Sequence, residues 1–519
     1  MLTLEISSSM STPKCASSSG KWLVIAFVGI IDLFLLYGVT LMYATGELAF
    51  ALLVLILAAS GSWIFISKKG YNYRYVYPSL VGVATFIVFP LLYTINIAFT
   101  NFSSSHLLPL ERVKEIHLAK TYRTEGDSFT FKMYQEGARF QLALFPTQGS
   151  EEFYVTTPFP ILTQPTNIKA SITTAIPNGA ELAMRDVIKQ RGTLKLLDIQ
   201  LPDGGSLSMI SLRRFGHIEK TYQITEGNDL LNTRNQSVIS PDMSTGFYVD
   251  SNGEQIEPGF TVYTGWDNFT RVITDPGIQG PFLKIFLWTI TFSLISVILT
   301  LIIGLLMACL VQWEPLKGNA LYRMLLILPY AVPAFISILI FRGLFNQNFG
   351  EINMLLDLLF NTKPEWFSNE LLAKIMVITV NTWLGYPYMM ILCIGLLKSI
   401  PDDLYEASAI DGATPLQNLM HITIPLIIKP LIPLLIASFA FNFNNLVLIS
   451  LLTGGAPDMI NASTPAGTTD ILVSYTFRIA FGSYGQDYGL ASAIASIIFL
   501  MVGAIAWANL KATKKYQTY

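Results

Sequence analysis

The stretch from Glu406 to Pro425 carries the most information in this chain. It reads EASAIDG from Glu406 to Gly412, continues for nine residues, and ends with ITIP from Ile422 to Pro425. We expect a compact projection here. It consists of a short helix of small residues, a glycine that ends this helix, and a second short helix. Long apolar runs flank the stretch on both sides, so we expect it to project from a membrane, where a soluble partner can bind it.

The composition indicates a polytopic membrane protein. Apolar residues make up 52% of the 519 residues and charged residues only 13%, and the mean hydropathy is +0.49. An ordinary soluble protein is excluded by these values. The net charge of −2 gives no reason to expect a nucleic-acid partner.

The sequence indicates no disulfide scaffold, no metal site and no nucleotide-binding site. Cys15 lies in a polar N-terminal tail, and Cys309 and Cys393 lie in apolar runs without clustered partners, so we predict neither a disulfide scaffold nor a metal site. The phosphate-binding pattern G-x-x-x-x-G-K-[ST] is absent from the sequence. We therefore expect no cofactor, and expect another chain to hydrolyse any ATP that drives this protein.

Eight apolar runs are long enough to cross a bilayer, which takes about 20 residues each. They lie near 22–43, 48–67, 77–99, 282–312, 323–343, 371–397, 422–451 and 487–509. The first run follows a polar tail, and a second apolar run follows it after a short loop. Both features distinguish it from a cleaved signal peptide. The predicted fold class is an all-α polytopic membrane protein with eight transmembrane helices.

The distribution of lysine and arginine predicts the orientation. With the N-terminus inside, the inner segments carry eleven basic residues, including Lys68, Lys69 and Arg74, whereas the short outer loops carry only Lys363 and Arg478. This is the positive-inside pattern. It places both termini and the 406–425 loop in the cytoplasm.

The spans divide the chain into five parts. We predict a cytoplasmic tail, three N-terminal spans, an external insert, a five-span core that contains the loop 398–425, and a second cytoplasmic tail; these parts are 1–21, 22–99, 100–281, 282–509 and 510–519.

The insert has mostly β signals. Alternating apolar residues in Thr193–Leu201 and Ser206–Leu212 flank the turn residues Asp203–Gly205, and a second hairpin is predicted to turn at Asp250–Gly253. One helix is predicted, with Asn178 as its cap and Gly192 as its end. The functional interpretation is a docking surface, and the alternative is a solvated insert without a partner.

Few ionisable residues lie inside the spans. Asp32 in the first span is the main one, and pairing with a neighbouring helix or water is favoured over a functional role. Arg342 and Lys429 lie near span ends, where snorkelling explains them. The spans lack the series of Asp, Glu and His residues that a proton relay needs, which fits an external source of energy.

Two spans carry polar residues deep in apolar surroundings. Asn381, Leu384, Gly385 and Tyr388 share one helical face, and Phe441, Asn442 and Asn445 share a face of the next span, with Asn444 pointing away. Asparagine amides can bind vicinal hydroxyls and aromatic rings can pack on a pyranose, so these faces suit a neutral sugar. The alternative is packing between helices, where Asn and Gly are common. Spacing leaves both interpretations open.

The quoted stretch resembles the EAA loop of ABC importer permeases, which docks into a cleft of the ATP-hydrolysing subunit. Ser408 stands where that pattern has Ala and Ile424 where it has Leu, and the spacing matches throughout. The sequence GWDNF at Gly265–Phe269 is similar to a short signature that sugar-importer permeases place before the transmembrane core. The resemblance assigns coupling to the ATPase to five residues: Glu406, Ala407, Ser408, Asp411 and Gly412.

Longer stretches narrow the resemblance. The chain is similar to the larger membrane subunit of maltose/maltodextrin ABC importers, in the binding-protein-dependent transport permease family, through LPYAVP at 328–333, NTWLGYPY at 381–388, FAFNFNNL at 439–446 and GQDYGL at 485–490. The resemblance implies that the sugar site is lined by Tyr330, Asn381, Leu384, Gly385, Tyr388, Phe441, Asn442 and Asn445. Ala334 stands where the resemblance leads us to expect a serine near this site.

The resemblance implies a type I ABC importer permease in the bacterial inner membrane, with its insert in the periplasm. The expected substrates are maltose and maltodextrins. The expected partners are a second permease subunit, a dimer of ATP-binding subunits and a periplasmic maltose-binding protein. A membrane receptor with an external sensing domain is the alternative, although no inner segment is long enough for a signalling domain. A membrane-embedded enzyme is a third possibility and lacks a catalytic constellation.

Overall fold

The computed structural model describes residues 18–146, 152–225, 227–313, 315–483 and 486–517. The N-terminal tail with Cys15, as well as Gly485 of the GQDYGL stretch, lies outside the described residues. The chain forms two compact units. One contains the chain up to Thr100 together with everything from Gly265 onward, and the other is the insert Asn101–Thr264.

The first unit is helical. Its helices are α1 (Ser18–Ala44), α2 (Leu48–Ile66), α3 (Tyr77–Val83), α4 (Phe89–Ile97), α8 (Asp267–Thr274), α9 (Pro276–Gln312), α10 (Asn319–Ala331), α11 (Ala334–Leu344), α12 (Glu351–Phe360), α13 (Glu370–Leu397), α14 (Asp403–Ile410), α15 (Pro415–Asn418), α16 (Ile424–Phe443), α17 (Leu446–Leu452), α18 (Leu472–Phe481) and α19 (Tyr488–Gln517). A 3₁₀ turn covers Tyr71–Tyr75, and π-helical turns at Ala84–Val88 and Leu419–Thr423 join α3 to α4 and α15 to α16.

The helices confirm the predicted spans in number. In the described part of the chain, seven continuous helical stretches are long and apolar enough to cross a membrane, and one bent pair raises the number to eight. The seven are Trp22–Ala44, Leu48–Ile66, Tyr77–Ile97, Pro276–Gln312, Glu370–Leu397, Pro415–Phe443 and Tyr488–Ala508. Exposed apolar side chains cover the first three, as expected of helices that face lipid.

Two spans differ from the sequence prediction. The predicted span 323–343 is α10 and α11, which meet at an angle of 89°. Val332 is extended and Pro333 has no N–H to continue the helix, so the chain turns sharply there. The predicted span 422–451 ends at Phe443, and α17 begins as a separate helix after Asn444 and Asn445.

The central pair of helices, α9 and α13, packs at backbone distance. A Cβ atom at Gly304 of α9 would lie 2.7 Å from Cβ of Met389 and 2.8 Å from the backbone N of Met390, both in α13. Only glycine permits this approach, which is a common device between transmembrane helices. The side chains around it, including Ala308 and Cys393, are fully buried.

The GWDNF signature has a structural role. Asn268 of α8 is buried, and its amide Nδ2 donates to the carbonyls of Ala98 (2.9 Å) and Thr100 (2.8 Å) at the end of α4. Asp487 caps α19 through the Leu490 N–H (2.9 Å), and its other carboxylate oxygen pairs with Arg271 (3.1 Å). Asn268 of the signature thus fastens α8 to α4, and the Arg271–Asp487 pair fastens α8 to α19.

The insert carries all the described strands that form sheets. They are β1 (Thr121–Glu136), β2 (Arg139–Pro146), β3 (Phe153–Thr156), β4 (Thr166–Thr173), β5 (Ala180–Glu181), β6 (Leu197–Gln200), β7 (Ser206–Ser211), β8 (Arg214–Lys220), β9 (Tyr222–Ile224), β10 (Leu230–Asn232), β11 (Val238–Asp242), β12 (Phe247–Val249) and β13 (Gln255–Ile256). Its helices are α5 (Leu110–Ala119), α6 (Met184–Lys189) and α7 (Arg191–Lys195).

Two sheets build the insert. The first has the order β2-β3-β4-β6-β7-β8-β1-β5, and because β1 also pairs with β2 the sheet closes into a barrel-like shape. Its pairs are antiparallel except β4 with β6. The second sheet has the order β13-β12-β11-β10-β9 and packs with α5 around Tyr248 and Phe260. This is the mostly β insert that the sequence predicts.

The local predictions for the insert were partly right. The turn at Asp203–Gly205 joins β6 to β7, and the hairpin at Asp250–Gly253 joins β12 to β13, as predicted. The helix prediction was wrong at both ends. Asn178 caps no helix because α6 begins at Met184, and Gly192 lies inside α7 instead of ending a helix. The predicted strand from Thr193 consequently starts only at Leu197.

The limits of the insert also differ from 100–281. The compact unit ends at Thr264, and residues 267–274 and 276–312 are already the helices α8 and α9. Pro281 lies inside α9 and does not mark its start. A hydropathy pattern detects only the apolar part of a helix, so the polar first turns of α9 were assigned to the insert.

Candidate functional site

A cavity of about 810 Å³ lies in the membrane unit, where two broken helices face α9 and α13. One wall is the break between α10 and α11, and another is the break between α16 and α17. All eight residues that the sequence analysis placed at a sugar site line it: Tyr330, Asn381, Leu384, Gly385, Tyr388, Phe441, Asn442 and Asn445. The other lining residues are also uncharged, so the cavity suits a neutral ligand.

Aromatic rings and small residues shape the cavity. Phe441 is 71% exposed and Tyr330 58% exposed, which leaves their ring faces open for contact. Gly385 lets α13 pack closely against α9, because a Cβ atom there would lie 2.8 Å from Cγ2 of Thr300. The cavity thus combines exposed ring surface with a closely packed wall of α9 and α13.

The three asparagines form a hydrogen-bonded chain across helices. Nδ2 of Asn381 on α13 donates to Oδ1 of Asn442 on α16 (2.7 Å), and Nδ2 of Asn445 donates to Oδ1 of Asn381 (3.3 Å). Nδ2 of Asn442 donates to the Ser438 carbonyl (2.8 Å). These amides join α13 to the α16–α17 region, which is the kind of contact that the packing interpretation predicts.

The same amides keep capacity for a ligand. An amide nitrogen has two hydrogens and its oxygen two lone pairs. Asn381 uses one of each in its two bonds to asparagines, and so does Asn442 in its bonds to Asn381 and Ser438. Each of the two amides thus keeps one hydrogen and one lone pair that no described hydrogen bond uses.

Asn445 has a second structural task. Its Oδ1 accepts the backbone N–H of Leu448 (3.3 Å), which makes it the N-cap of α17. Asn442 is buried near the end of α16, whereas Asn445 lies after the break. The two residues thus come from different helices, not from one helical face.

Asn444, which the sequence analysis placed away from the Asn442/Asn445 face, borders the cavity together with these two residues. The reason is that α16 ends at Phe443, so helical spacing no longer describes the directions of the next two residues. Nδ2 of Asn444 donates to the Ala440 carbonyl (3.2 Å) of its own helix.

Sequence reasoning missed several lining residues. Thr300 of α9 and Ser438 of α16 border the cavity, as do Val332 and Pro333 at the bend. Thr300 donates its hydroxyl to the Ser296 carbonyl within α9 (2.7 Å), so it presents its methyl group near Gly385. The two prolines of LPYAVP signal the bend, and they could have indicated that backbone as well as side chains meets the site. Ala334 also lines the cavity, at the first turn of α11.

The 406–425 loop folds as two helical pieces around a glycine turn. Helix α14 ends in a Schellman motif: the N–H of Gly412 donates to the Ala409 carbonyl (3.1 Å) and that of Ala413 to the Ser408 carbonyl (3.0 Å). Gly412 has φ of +79°, in the left-handed region that favours glycine. The glycine therefore fixes the direction in which the chain leaves α14.

The second piece of the loop is anchored to the membrane helix. Thr414 and Gln417 form a capping box at α15, and the helix continues through a π-helical turn into α16. The hydroxyls of Tyr405 and Thr423 lie 2.9 Å apart and join the two pieces. This contact joins α14 to the turn that leads into α16, and Asn442 of α16 lines the cavity.

The face of α14 is available for a partner. Glu406, Ala407 and Asp411 are exposed, Ser408 is half-buried and donates to the Tyr405 carbonyl, and Ile410 is 87% exposed. An exposed isoleucine beside two carboxylates is a mixed apolar and acidic surface. The five residues assigned to coupling thus lie on or directly after one short helix.

The remaining candidates have local explanations. Asp32 accepts a short hydrogen bond from the hydroxyl of Ser62 on α2, which is the helix pairing favoured by the sequence analysis. Arg342 donates to the Leu451 carbonyl (3.3 Å) near the end of α17. Across the described ranges, no group of three or more His, Cys, Asp or Glu residues could hold a metal ion.

Family comparisons cover most of the chain. Residues 108–265 match the maltose transport system permease protein MalF P2 domain, residues 300–511 match the binding-protein-dependent transport system inner membrane component, and residues 20–69 match the MalF N-terminal region of transmembrane helices.

Whole-chain relatives agree with the family matches. The maltose/maltodextrin transport system permease protein MalF of Escherichia coli (strain K12) is 53% identical over 96% of this chain and 97% of its own length. The protein of the same name from Yersinia pestis is 52% identical over 96% and 95%. In a crystal structure of a bacterial ABC transporter involved in the import of alginate, one chain is 19% identical with a TM-score of 0.40, over 48% of this chain and 84% of its own.

Proposed function

Since this chain belongs to the family of maltose/maltodextrin transport system permease proteins, we propose that it carries maltose and maltodextrins across the bacterial inner membrane as one permease subunit of an ATP-driven importer. The chain is a multi-pass membrane protein of the binding-protein-dependent transport class. Its relatives are transport subunits, so hydrolysis of ATP belongs to a separate chain. A receptor function is not favoured.

The neutral cavity with its asparagine chain is the observation that carries the choice of substrate. Maltose offers many hydroxyls and no charge. Amides of Asn381 and Asn442 would bind hydroxyls, and the rings of Tyr330, Tyr388 and Phe441 would pack on the sugar. Leu384, Gly385 and Asn445 complete the proposed wall. Binding of an anionic sugar would instead require arginine or lysine.

The loop centred on α14 is the proposed coupling element. Glu406 and Asp411 would pair with basic groups of the ATP-binding subunits, and Ile410 would enter an apolar depression there. The Tyr405–Thr423 contact joins α14 to the helix that leads into α16. Closure of the ATP-binding dimer would thus shift α16 and the Asn442 wall, and exchange an inward-facing for an outward-facing cavity.

The orientation and the remaining partners follow from this arrangement. Both termini and the loop 398–425 would lie in the cytoplasm with the excess of basic residues, and the insert would lie in the periplasm. There it would contact a sugar-loaded maltose-binding protein. A second permease subunit would complete the wall of the cavity beside the exposed α10–α11 pair.

Reconstitution tests the proposal. The chain is placed in proteoliposomes with the second permease, the ATP-binding subunits and the maltose-binding protein, and uptake of labelled maltose is measured with and without ATP. We expect uptake that needs all partners and is not competed by an anionic oligosaccharide. Uptake that continues without ATP, or no uptake with every partner present, would contradict the proposal.

A further inference from the structure

The segment Ser67–Val76 joins two membrane spans and carries a dense set of basic and aromatic residues. It reads SKKGYNYRYV. We propose that this segment is a binding site for the headgroups of anionic phospholipids. The site is distinct from the sugar cavity and from the α14 loop, and it involves α2 and the 3₁₀ turn Tyr71–Tyr75.

The segment is a built structure and not a loose connection. The guanidinium of Arg74 donates to the carbonyls of Ile64 (3.2 Å) and Phe65 (2.5 Å), which belong to the last turn of α2. A Cβ atom at Gly70 would lie 2.7 Å from both Cα and O of Ile64, so only glycine lets the chain fold back this closely. The segment is therefore held in one shape against the end of α2.

This shape leaves the two lysines for a ligand. Arg74 is occupied by the helix carbonyls, whereas Lys68 and Lys69 are exposed, and neither makes an ion pair with any acidic side chain in the described ranges. The sequence offers no nearby counter-charge, because no Asp or Glu occurs between Glu47 and Glu111. Two uncompensated ammonium groups at a membrane surface attract lipid phosphates.

The tyrosines set the depth of the segment. Tyr71, Tyr73 and Tyr75 are 55%, 61% and 78% exposed, and the rings of Tyr71 and Tyr75 meet edge to face with centroids 6.3 Å apart. Exposed tyrosines at the end of a span lie at the level of lipid headgroups, where the ring is in the apolar layer and the hydroxyl can donate to ester or phosphate oxygens. The aromatic group thus places the lysines beside the phosphates.

Charge complementarity selects an anionic lipid over a zwitterionic one. A zwitterionic headgroup carries its own cation, which the two lysines would repel, whereas phosphatidylglycerol carries net negative charge. Each lysine near an anionic surface contributes about a fivefold gain in affinity, so the pair would contribute about 25-fold. The competing explanation is that the lysines act only during insertion, by fixing orientation, and bind no lipid afterwards.

The test uses the assembled transporter complex in detergent. Native mass spectrometry measures the retention of phosphatidylglycerol and of phosphatidylcholine during a lipid titration. In the unmodified complex we expect the tightest bound lipid to be phosphatidylglycerol. In Lys68→Gln/Lys69→Gln its affinity should fall about 25-fold, and in Lys68→Arg/Lys69→Arg it should be kept.

The control variants distinguish a specific effect of Lys68 and Lys69 from a general effect of net charge on lipid retention. Lys169→Gln/Lys195→Gln removes the same charge from exposed positions of the insert and should leave lipid retention unchanged. If the double variant fails to assemble, Lys68→Gln alone is measured and should weaken retention about fivefold. Equal retention of phosphatidylglycerol by the unmodified complex and the glutamine variants, or equal retention of the two lipids, would overturn the proposal.

Discussion

Asn381 donates a 2.7 Å hydrogen bond to Asn442, and this bond joins α13 to α16 at the wall of the cavity. Both side chains are about 95% buried by their surroundings, with 5% and 6% exposed. One pair of amides therefore holds two helices together and borders the space in which a sugar is proposed to bind. Packing and substrate binding are coupled at this point, and only variants can separate them.

Replacement of Asn442 by alanine should weaken sugar binding more than it weakens assembly. Loss of one buried hydrogen bond costs about 1–3 kcal/mol, which is roughly a five- to 150-fold loss of affinity if the sugar is the partner. Sugar uptake should fall by that factor while the receptor still stimulates ATP hydrolysis. Uptake, ATPase activity and thermal stability are measured on one preparation.

A second asparagine provides the matched control. Asn353 is buried away from the cavity and accepts a 2.7 Å hydrogen bond from Nε1 of Trp366. Asn353→Ala should lower stability by a similar amount and leave the affinity for sugar unchanged. If both variants lose assembly, ATPase activity and uptake in parallel, the asparagine chain serves packing alone and the site assignment fails.

Gly412 should tolerate no other residue without loss of coupling. Its φ of +79° costs about 1–2 kcal/mol for an alanine and excludes proline, which requires a φ near −65°. Gly412→Pro should leave the chain in the membrane but lower ATPase binding or stimulation strongly, with Gly412→Ala intermediate. Gly395→Ala in α13, where a Cβ meets nothing within 4 Å, should behave normally. Normal sugar-stimulated ATP hydrolysis in Gly412→Pro would refute the role of the turn.

Reversal of charge at Glu406 should also impair coupling. Glu406 is exposed on α14 with no described ion pair, so its replacement changes little within the chain. Glu406→Lys should weaken binding of the ATP-binding subunits, measured by co-purification, while Glu254→Lys in the insert should not. If an acidic residue introduced on the ATP-binding subunit restores its binding to Glu406→Lys, the residue that contacts Glu406 is identified. Unchanged co-purification of Glu406→Lys would exclude this contact.

The insert should lose stability in acid because of His117. This histidine is fully buried between the rings of Tyr222 (5.5 Å) and Tyr248 (5.2 Å), and among the described residues neither ring nitrogen has a hydrogen-bond partner. Burial, together with the charge of Lys120, lowers the pKa of His117 to about 4. The charges of Glu111 and Asp229 act on the neighbouring Tyr248.

The depressed pKa of His117 decides in which direction the stability of the insert changes with pH. The folded insert holds the imidazole neutral, so its stability is full above the unfolded pKa of about 6.5 and falls as the pH drops towards 4. The loss amounts to about 2 kcal/mol at pH 5. Hydrogen exchange of α5 and the second sheet in the full chain should rise at pH 5 beyond its intrinsic change. His117→Phe should remove most of this effect and His217→Gln should not; equal acid sensitivity in all three chains would contradict the mechanism.

Removal of the insert should abolish productive contact with the receptor and leave the membrane unit folded. Excision between Asn101 and Thr264 keeps the bonds of Asn268 to Ala98 and Thr100, which fasten α4 to α8. Receptor-stimulated ATP hydrolysis and uptake should fall, and membrane insertion should not. Full transport with unchanged dependence on receptor concentration would show that the insert is not the docking surface.

Much of the membrane unit was predictable because lipid imposes one rule on every span. About 20 apolar residues must form a helix in the bilayer, so the number of spans could be counted from sequence. Breaks in helices were not predictable in this way. Hydropathy predicts one span across Val332 and one across Asn444, although the chain bends at the first and starts a new helix after the second.

The candidate site was predictable as a set of residues but not as a network. Helical spacing grouped Asn381 with Tyr388, and resemblance added Tyr330, yet the bond from Asn381 to Asn442 spans 61 positions of sequence. The insert was harder still. Short strands depend on partners far along the chain, and the alternation after Thr193 was overridden by the helical turn of α7.

The contact of Gly304 with Met389 and Met390 has a consequence for how the protein moves. Two helices that touch at backbone distance cannot slide or part without losing that whole interface, so α9 and α13 move as one rigid unit. The α10–α11 bend and the α16–α17 gap then act as hinges, since a chain without continuous helical hydrogen bonds can change its direction at low cost. We expect distances between spin labels on α9 and α13 to stay constant through the ATP cycle, while those from α13 to α11 and α17 change.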